Sequence, residues 1–212
     1  QTNRSIYNGH IIPGDSIRIL KAIPVNPDIE IHFYESGTAE FDTIPAFIYK
    51  GNRIQMGDEA FQKELRNWMR YNKKHQDETN DGLSYTVFGA PNLPKFIVKP
   101  IMAKAISEKS QNNGDRKKLK SASHLVLFTT KNNIVEDWIN LGRSLERILL
   151  KSTEMGIAHS YFNQPNEIRK LAEQMAESLN ISGEYPTILI RLGYGEKMPY
   201  SKRKDAGEVI TN

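Results

Sequence analysis

Cysteine is absent from the 212 residues. That excludes disulfide staples, thiol catalysis and cysteine metal sites, and it fits a reducing, cytoplasmic setting. Long apolar runs are missing too. Stretches such as Leu125–Phe128 and Ile188–Ile190 fall far short of the ~18–20 residues of a membrane helix, so a soluble chain with no membrane partner is expected. Neither an initiator Met nor a signal-like segment stands at Gln1, which reads as a processed or trimmed start with residues upstream. There is no G-x-S-x-G elbow, no P-loop and no H-E-x-x-H pair. The histidines (His10, His32, His75, His124, His159) are scattered, with no two at metal-ligand spacing, and no metal site is expected. Gly193-Tyr194-Gly195 lacks the third glycine and the following helix of a dinucleotide fingerprint, and reads as a turn after a strand.

What remains is an ordinary globular balance, 38% hydrophobic and 25% charged. The length suits a single domain over residues 1–212. A net charge of +4 is compatible with nucleic acid and equally with an anionic small ligand.

Local patterns alternate strands with helices. Pro13–Ala22 carries Ile17 and Leu20 at helical spacing, with Asp15 or Ser16 as cap. Ile29, Ile31 and Phe33 alternate with polar neighbours as in a half-buried strand. Phe41, Ile44, Ile48 and Ile54 suit a helix that tolerates Pro45 only near its first turn. Asp58 caps a helix bearing Phe61, Leu65, Trp68 and Met69. Residues 72–82 read as a polar loop, and residues 101–109 as a short helix. Between them, the proline-punctuated stretch with Tyr85, Phe88 and Phe96 suits a lid or binding loop, unless those aromatics are core. Gln111–Lys120 reads as a basic loop.

A buried strand over His124–Thr129 precedes the longest helix, with Trp138, Leu141, Leu145, Ile148, Leu149 and Met155 on one stripe and Gly156 to end it. Another helix groups Ile168, Leu171, Met175 and Leu179. Gly183 and Pro186 bracket a turn into the strand Thr187–Leu192.

Three places in the second half resemble an FMN-dependent nitroreductase. They are Gly142–Arg147 running into Met155-Gly156-Ile157-Ala158 and Ser160–Pro165, the strand and turn Pro186–Gly195, and the segment Met198–Lys204. In the first half, Thr2-Asn3-Arg4 with Tyr7 and Ile12-Pro13 is similar to the family's opening motif. Phe61, Glu64-Leu65, Trp68 and Asp81-Gly82-Leu83 are similar to its divergent, two-lobed, flavin-sequestering branch. The resemblance implies an α+β fold, with a central, mostly antiparallel sheet flanked by helices and a long core or dimer helix. It also implies FMN as cofactor and NAD(P)H as electron donor.

Carried over residue by residue, the resemblance implies that Arg4, Arg203 and Lys204 hold the FMN phosphate through charge-assisted bonds, with Lys202 a weaker contributor. Thr2 would offer a hydroxyl to the flavin or its ribityl chain. The backbone amides of Phe162, Asn163 and Gln164 would face flavin N5, where donors tune the cofactor. No side chain need act as acid or base. One departure counts against efficient turnover: Ala22 leads through Ile23-Pro24-Val25-Asn26-Pro27 straight into the strand, without the Ser-x-Asn-x-Gln-Pro-Trp-like segment of ordinary nitroreductases.

Two functions follow from the resemblance. One is an oxidoreductase passing hydride from NAD(P)H through FMN to a quinone, nitroaromatic or similar small acceptor. The other is a protein that holds flavin with little turnover. The expected partner is a second copy in a homodimer, or an intrachain lobe. A basic nucleic-acid-binding domain using Arg116-Lys117-Lys118 and the basic tail is a third reading, but no recognisable module accompanies those residues.

Overall fold

A computed structural model describes residues 2–88, 91–198, 207 and 210. Two compact units are distinguished, Gln1–Asn52 with Gly114–Lys197 and Arg53–Asn113 with Met198–Asn212.

The first unit is built on a four-stranded, wholly antiparallel sheet in the order β1-β4-β6-β5, formed by β1 (Ile29–Glu35), β4 (His124–Thr130), β5 (Ala158–Tyr161) and β6 (Tyr185–Gly193). All seven residues of β4 are buried, which is why its sequence is a continuous apolar run rather than an alternating one. Leu125 and Leu127 of β4, with Leu189 of β6, pack on α2 (Ala39–Gly57) and α8 (Arg169–Ser178). Val126, Phe128, Ile190 and Leu192 pack on the other face, against α1 (Gly14–Lys21) and α7 (Val135–Glu154). The period of two along a strand thus feeds two helix layers. It also assigns Arg191 to the α2/α8 side, beside Leu189.

The second unit holds α3 (Glu59–Trp68), α4 (Lys73–Thr79), α5 (Lys95–Ala105), a 3-10 turn at Tyr85–Phe88, and the two-residue parallel strands β2 (Met69–Arg70) and β3 (Leu83–Ser84). Its small core is Met69, Tyr71, Val98, Met102 and Ile106, with Met56, Leu65 and Tyr85 against it. α6 spans Glu108–Lys120.

Several expectations change. The polar stretch 72–82 contains α4, because the Asn72 side chain accepts from the His75 amide and Asn80 closes the last turn at φ 53°. A helix this polar leaves no apolar period to read. Gln111–Lys120 is helical rather than a loop, since Leu119 and Asp115 are both buried. β5 carries too little apolar alternation to be read as a strand. α1 begins after Pro13 with no side-chain cap from Asp15 or Ser16.

Pro45 lies well inside α2, beyond its first turn. Pro186 lies within β6, opposite Thr129 where the register slips, and a bulge is where a strand admits proline. Met69 leaves α3 for β2, and Trp138 is exposed although its helical stripe is otherwise buried or half-buried. Residues 101–109 divide between the end of α5 and the start of α6, and α5 already starts at Lys95, behind Pro94. Of the three aromatics in the lid-like stretch, Tyr85 packs on the small core and Phe96 is 78% exposed; the Phe88 side chain lies outside the described residues. As expected, Asp58 caps α3 by accepting from the amides of Ala60 and Phe61, and Gly156 follows the end of α7 at φ 71°. No described helix is long and apolar enough to cross a membrane.

Candidate functional site

The opening segment is anchored by groups far away in sequence. The Asn3 amide donates to the His159 carbonyl of β5 (2.8 Å), and the Asn3 side chain donates to the Glu196 carbonyl (2.7 Å). Further along, the Tyr7 amide donates to Ser121 Oγ (3.0 Å) and the Ile12 amide to Ser123 Oγ (2.7 Å). Because Asn3 faces inward and is buried, its neighbours face the other way. Thr2 is half-buried and Arg4 is exposed.

Arg191 is the fixed point beneath this segment. It is fully buried. Its Nη2 donates to the carbonyls of Ser5 (2.5 Å) and Asn3 (3.3 Å), and Nη1 donates to the Lys118 carbonyl (2.9 Å). The guanidinium stacks 3.8 Å from the Tyr7 ring centroid and 5.6 Å from that of Phe162. A desolvated cation over an aromatic face is stabilised by about 2 kcal/mol. Burial lowers the Arg191 pKa and pushes the Tyr7 phenol up to about 12, the nearby guanidinium opposing the latter shift. Tyr7 in turn fits only because positions 193 and 195 lack side chains: a Cβ would stand 2.5 Å from Tyr7 Cδ2 at Gly193 and 2.9 Å from Cδ1 at Gly195. The Gly193-Tyr194-Gly195 stretch is therefore a slot for an aromatic ring.

β5 leads directly from His159 into the second candidate segment. The Phe162 amide donates to the Leu189 carbonyl (2.9 Å) and its ring is buried in the core. Its N–H is consumed by β6, so of the three amides expected to be free donors this one is already engaged. Asn163 Oδ1 accepts from the Leu189 amide (3.0 Å) and from Asn166 Nδ2 (3.1 Å), which folds the loop back on itself. Gln164 Nε2 donates to Asp115 Oδ2 (3.4 Å), while Gln164 Oε1 is buried with no donor among the described residues. The loop rests on α2 so closely that a Cβ on Gly51 would lie 2.8 Å from Gln164 Cβ and 2.9 Å from its carbonyl carbon. Among the described residues, no acceptor takes the amide N–H of Asn163 or Gln164.

The structure thus brings Thr2 and Arg4 alongside β5, which runs directly into Phe162–Gln164. Arg203 and Lys204, with Lys202, lie outside the described residues. Sequence reasoning placed Asn3, Tyr7 and Arg191 in the matched motifs without giving them a role, and missed Asp115 altogether. The one available signal was an arginine inside the apolar run Ile188-Leu189-Ile190-Arg191-Leu192, where a charge buried on a strand has to find polar partners.

No protein-family model and no curated protein matches the sequence. Solved structures do match over the whole chain. The FMN-dependent nitroreductase NfnB of Mycobacterium smegmatis, crystallised with NADPH, superposes with a TM-score of 0.61 at 13% identity, covering 100% of this chain and 93% of its own. The FMN- and NADPH-dependent nitroreductase NfnB of a Sphingopyxis strain gives 0.61 at 12% identity, with 100% and 94% coverage. A Bacteroides fragilis nitroreductase with bound FMN gives 0.56 at 14%, with 100% and 93% coverage. The class defined by these matches is one of architecture. The α+β fold of this chain is the nitroreductase fold.

Proposed function

We propose that this chain binds FMN and works as a nitroreductase-type oxidoreductase, taking hydride from NAD(P)H and delivering it to a quinone, nitroaromatic or similar acceptor. The observation that carries the reading is the loop after β5: its side chains are tied inward while the amides of Asn163 and Gln164 have no acceptor among the described residues. The neighbours of the same fold named above are FMN-dependent or FMN-bound nitroreductases.

The residues present fit the cofactor. Two amides without an acceptor among the described residues suit the N5 edge of a flavin, where donors favour its reduced form. Arg4, exposed as a residue though burial around its guanidinium lowers its pKa, suits a phosphate, and Thr2 beside it a ribityl hydroxyl. Arg203 and Lys204 are proposed as further phosphate ligands, and Phe162 as the buried wall from which the loop departs. When bound, the flavin supplies the hydride chemistry, and the protein's part is to orient it and to exclude water. As in the sequence reading, the second subunit of a homodimer or an intrachain lobe would complete the site.

A flavin-holding protein with little turnover, as in the two-lobed branch, is the second reading. It is favoured by the direct passage from the end of α1 at Ala22 to β1 at Ile29. The visible spectrum of the FMN-loaded protein, recorded anaerobically before and after NADH or NADPH, separates the two. Bleaching supports the oxidoreductase, and bands that persist until dithionite support the holding protein. A chain that takes up no FMN overturns both.

A further inference from the structure

Asp115 is an acid in the last turns of α6, within a stretch whose composition is that of a solvated basic surface, yet it is buried. Burying a carboxylate is costly unless hydrogen bonds replace its water. Here both oxygens are used. Oδ2 accepts from Asn52 Nδ2 (2.9 Å) and from Gln164 Nε2 (3.4 Å), and Oδ1 accepts from Lys118 Nζ (3.3 Å). The Gln164 amide cannot be reversed, since that would turn its carbonyl oxygen toward the carboxylate. One helical turn later, the Lys118 carbonyl receives Arg191, which holds Asn3 and Ser5. The end of α6 therefore contacts the loop 162–166 directly and the opening segment through Arg191.

We propose that Asp115 is the positioning residue of the loop 162–166, fixing through Gln164 the direction in which the Asn163 and Gln164 amides point, and that the flavin reduction potential is set in part by this contact. The proposal rests on the flavin reading above. Asp115 acts as an acceptor of two side-chain N–H groups at a single oxygen, so an amide oxygen can replace that oxygen while a hydrocarbon cannot. Loss of the contact frees the Gln164 side chain, and the amides beside it lose their fixed direction.

The test compares Asp115→Asn with Asp115→Leu in the whole chain, with and without FMN. Two quantities are read: hydrogen exchange of the Asn166 and Glu167 amides, which are bonded to the Asn163 carbonyl, in the flavin-free protein, and the midpoint potential of the FMN-loaded protein. In D115L, exchange in the loop is expected to rise by about tenfold or more, the equivalent of one charge-assisted hydrogen bond, and the potential is expected to fall. In D115N both are expected to return toward wild type. Gln164→Met breaks the same contact from the loop side and should match D115L, which keeps the test open if D115L does not fold.

Equal shifts in potential for D115N and D115L would mean that the charge acts, not the contact, and would overturn the proposal. So would a D115L whose loop exchange and potential match wild type. A wild-type chain that takes up no FMN overturns the flavin reading and this use of the loop together. That outcome is distinct from a flavin-loaded protein indifferent to Asp115.

Discussion

Replacing Gly51 with alanine sets two effects of opposite sign against each other. Gly51 lies inside α2, where alanine is the better helix former by about 1 kcal/mol. Taken alone, that predicts a more stable protein. However, the new methyl would stand 2.8 Å from Gln164 Cβ and 2.9 Å from the Gln164 carbonyl carbon. Ordinary carbon contacts lie at about 3.5–4.0 Å, so the loop would have to retreat by about 0.7 Å or more.

Side chains that intrude on packed backbone typically cost about 1–3 kcal/mol, and the intrusion should outweigh the propensity. For a chain of this length about 1 kcal/mol moves Tm by roughly 2–4 °C. Gly51→Ala should therefore lower Tm by a few degrees and weaken FMN retention. Gly142→Ala is the matched control. It too lies within a helix, α7, but a Cβ there would meet nothing within 4 Å. It should raise Tm, by about 2–4 °C. Scanning calorimetry of both variants decides the matter. If G51A gains stability as G142A does, the loop is not seated on α2 and the site geometry argued from that contact is wrong.

Other outcomes follow from the buried polar groups. Arg191→Lys should destabilise more than Arg191→Met in urea titrations. Lysine keeps the buried charge but cannot reach all three carbonyls, a loss of about 3–5 kcal/mol, whereas methionine removes the charge along with its desolvation cost; the reverse order would refute this account of Arg191. Burial lowers the His159 pKa from 6.5 to about 4. Its contribution to stability is then whole above pH 6.5 and is lost as pH falls toward 4. His159→Gln should flatten the stability profile across that interval, and an unchanged slope would rule His159 out as its cause. Replacing Arg203 and Lys204 together with alanine should reduce FMN retained after dialysis without shifting the Tm of the flavin-free protein. Unchanged flavin content would remove them from the phosphate site.

The sheet and its helices were legible wherever burial leaves a period. β4 reads as an apolar run because both its faces are covered, and α8 is marked by the spacing of Leu171 and Met175. The two helices mistaken for loops fail for the opposite reason. α4 buries nothing, and α6 buries one leucine together with an aspartate that sequence reasoning assigns to solvent. At the candidate site, the motif resemblance pointed to Thr2, Arg4 and the loop at Phe162–Gln164. What no motif could supply is the polar scaffold behind them. Asp115 and Arg191 take their roles from partners more than forty residues away, and that pairing exists only once the fold is formed.

The anchoring of the first residues has a consequence for synthesis. Asn3 is bonded to Glu196, 193 positions later, and Arg191 reaches back 186 and 188 positions to Ser5 and Asn3. Since a chain is made from its amino end, Asn3 and Ser5 must wait for these two partners until residues 191–196 have left the ribosome. Helices such as α1 and α2 have local partners long before then. The segment containing Thr2 and Arg4 is thus completed only once β6 has been made, and a nascent chain that stalls before Arg191 can form the contacts of that segment to Ser121, Ser123 and His159 but lacks the guanidinium beneath it.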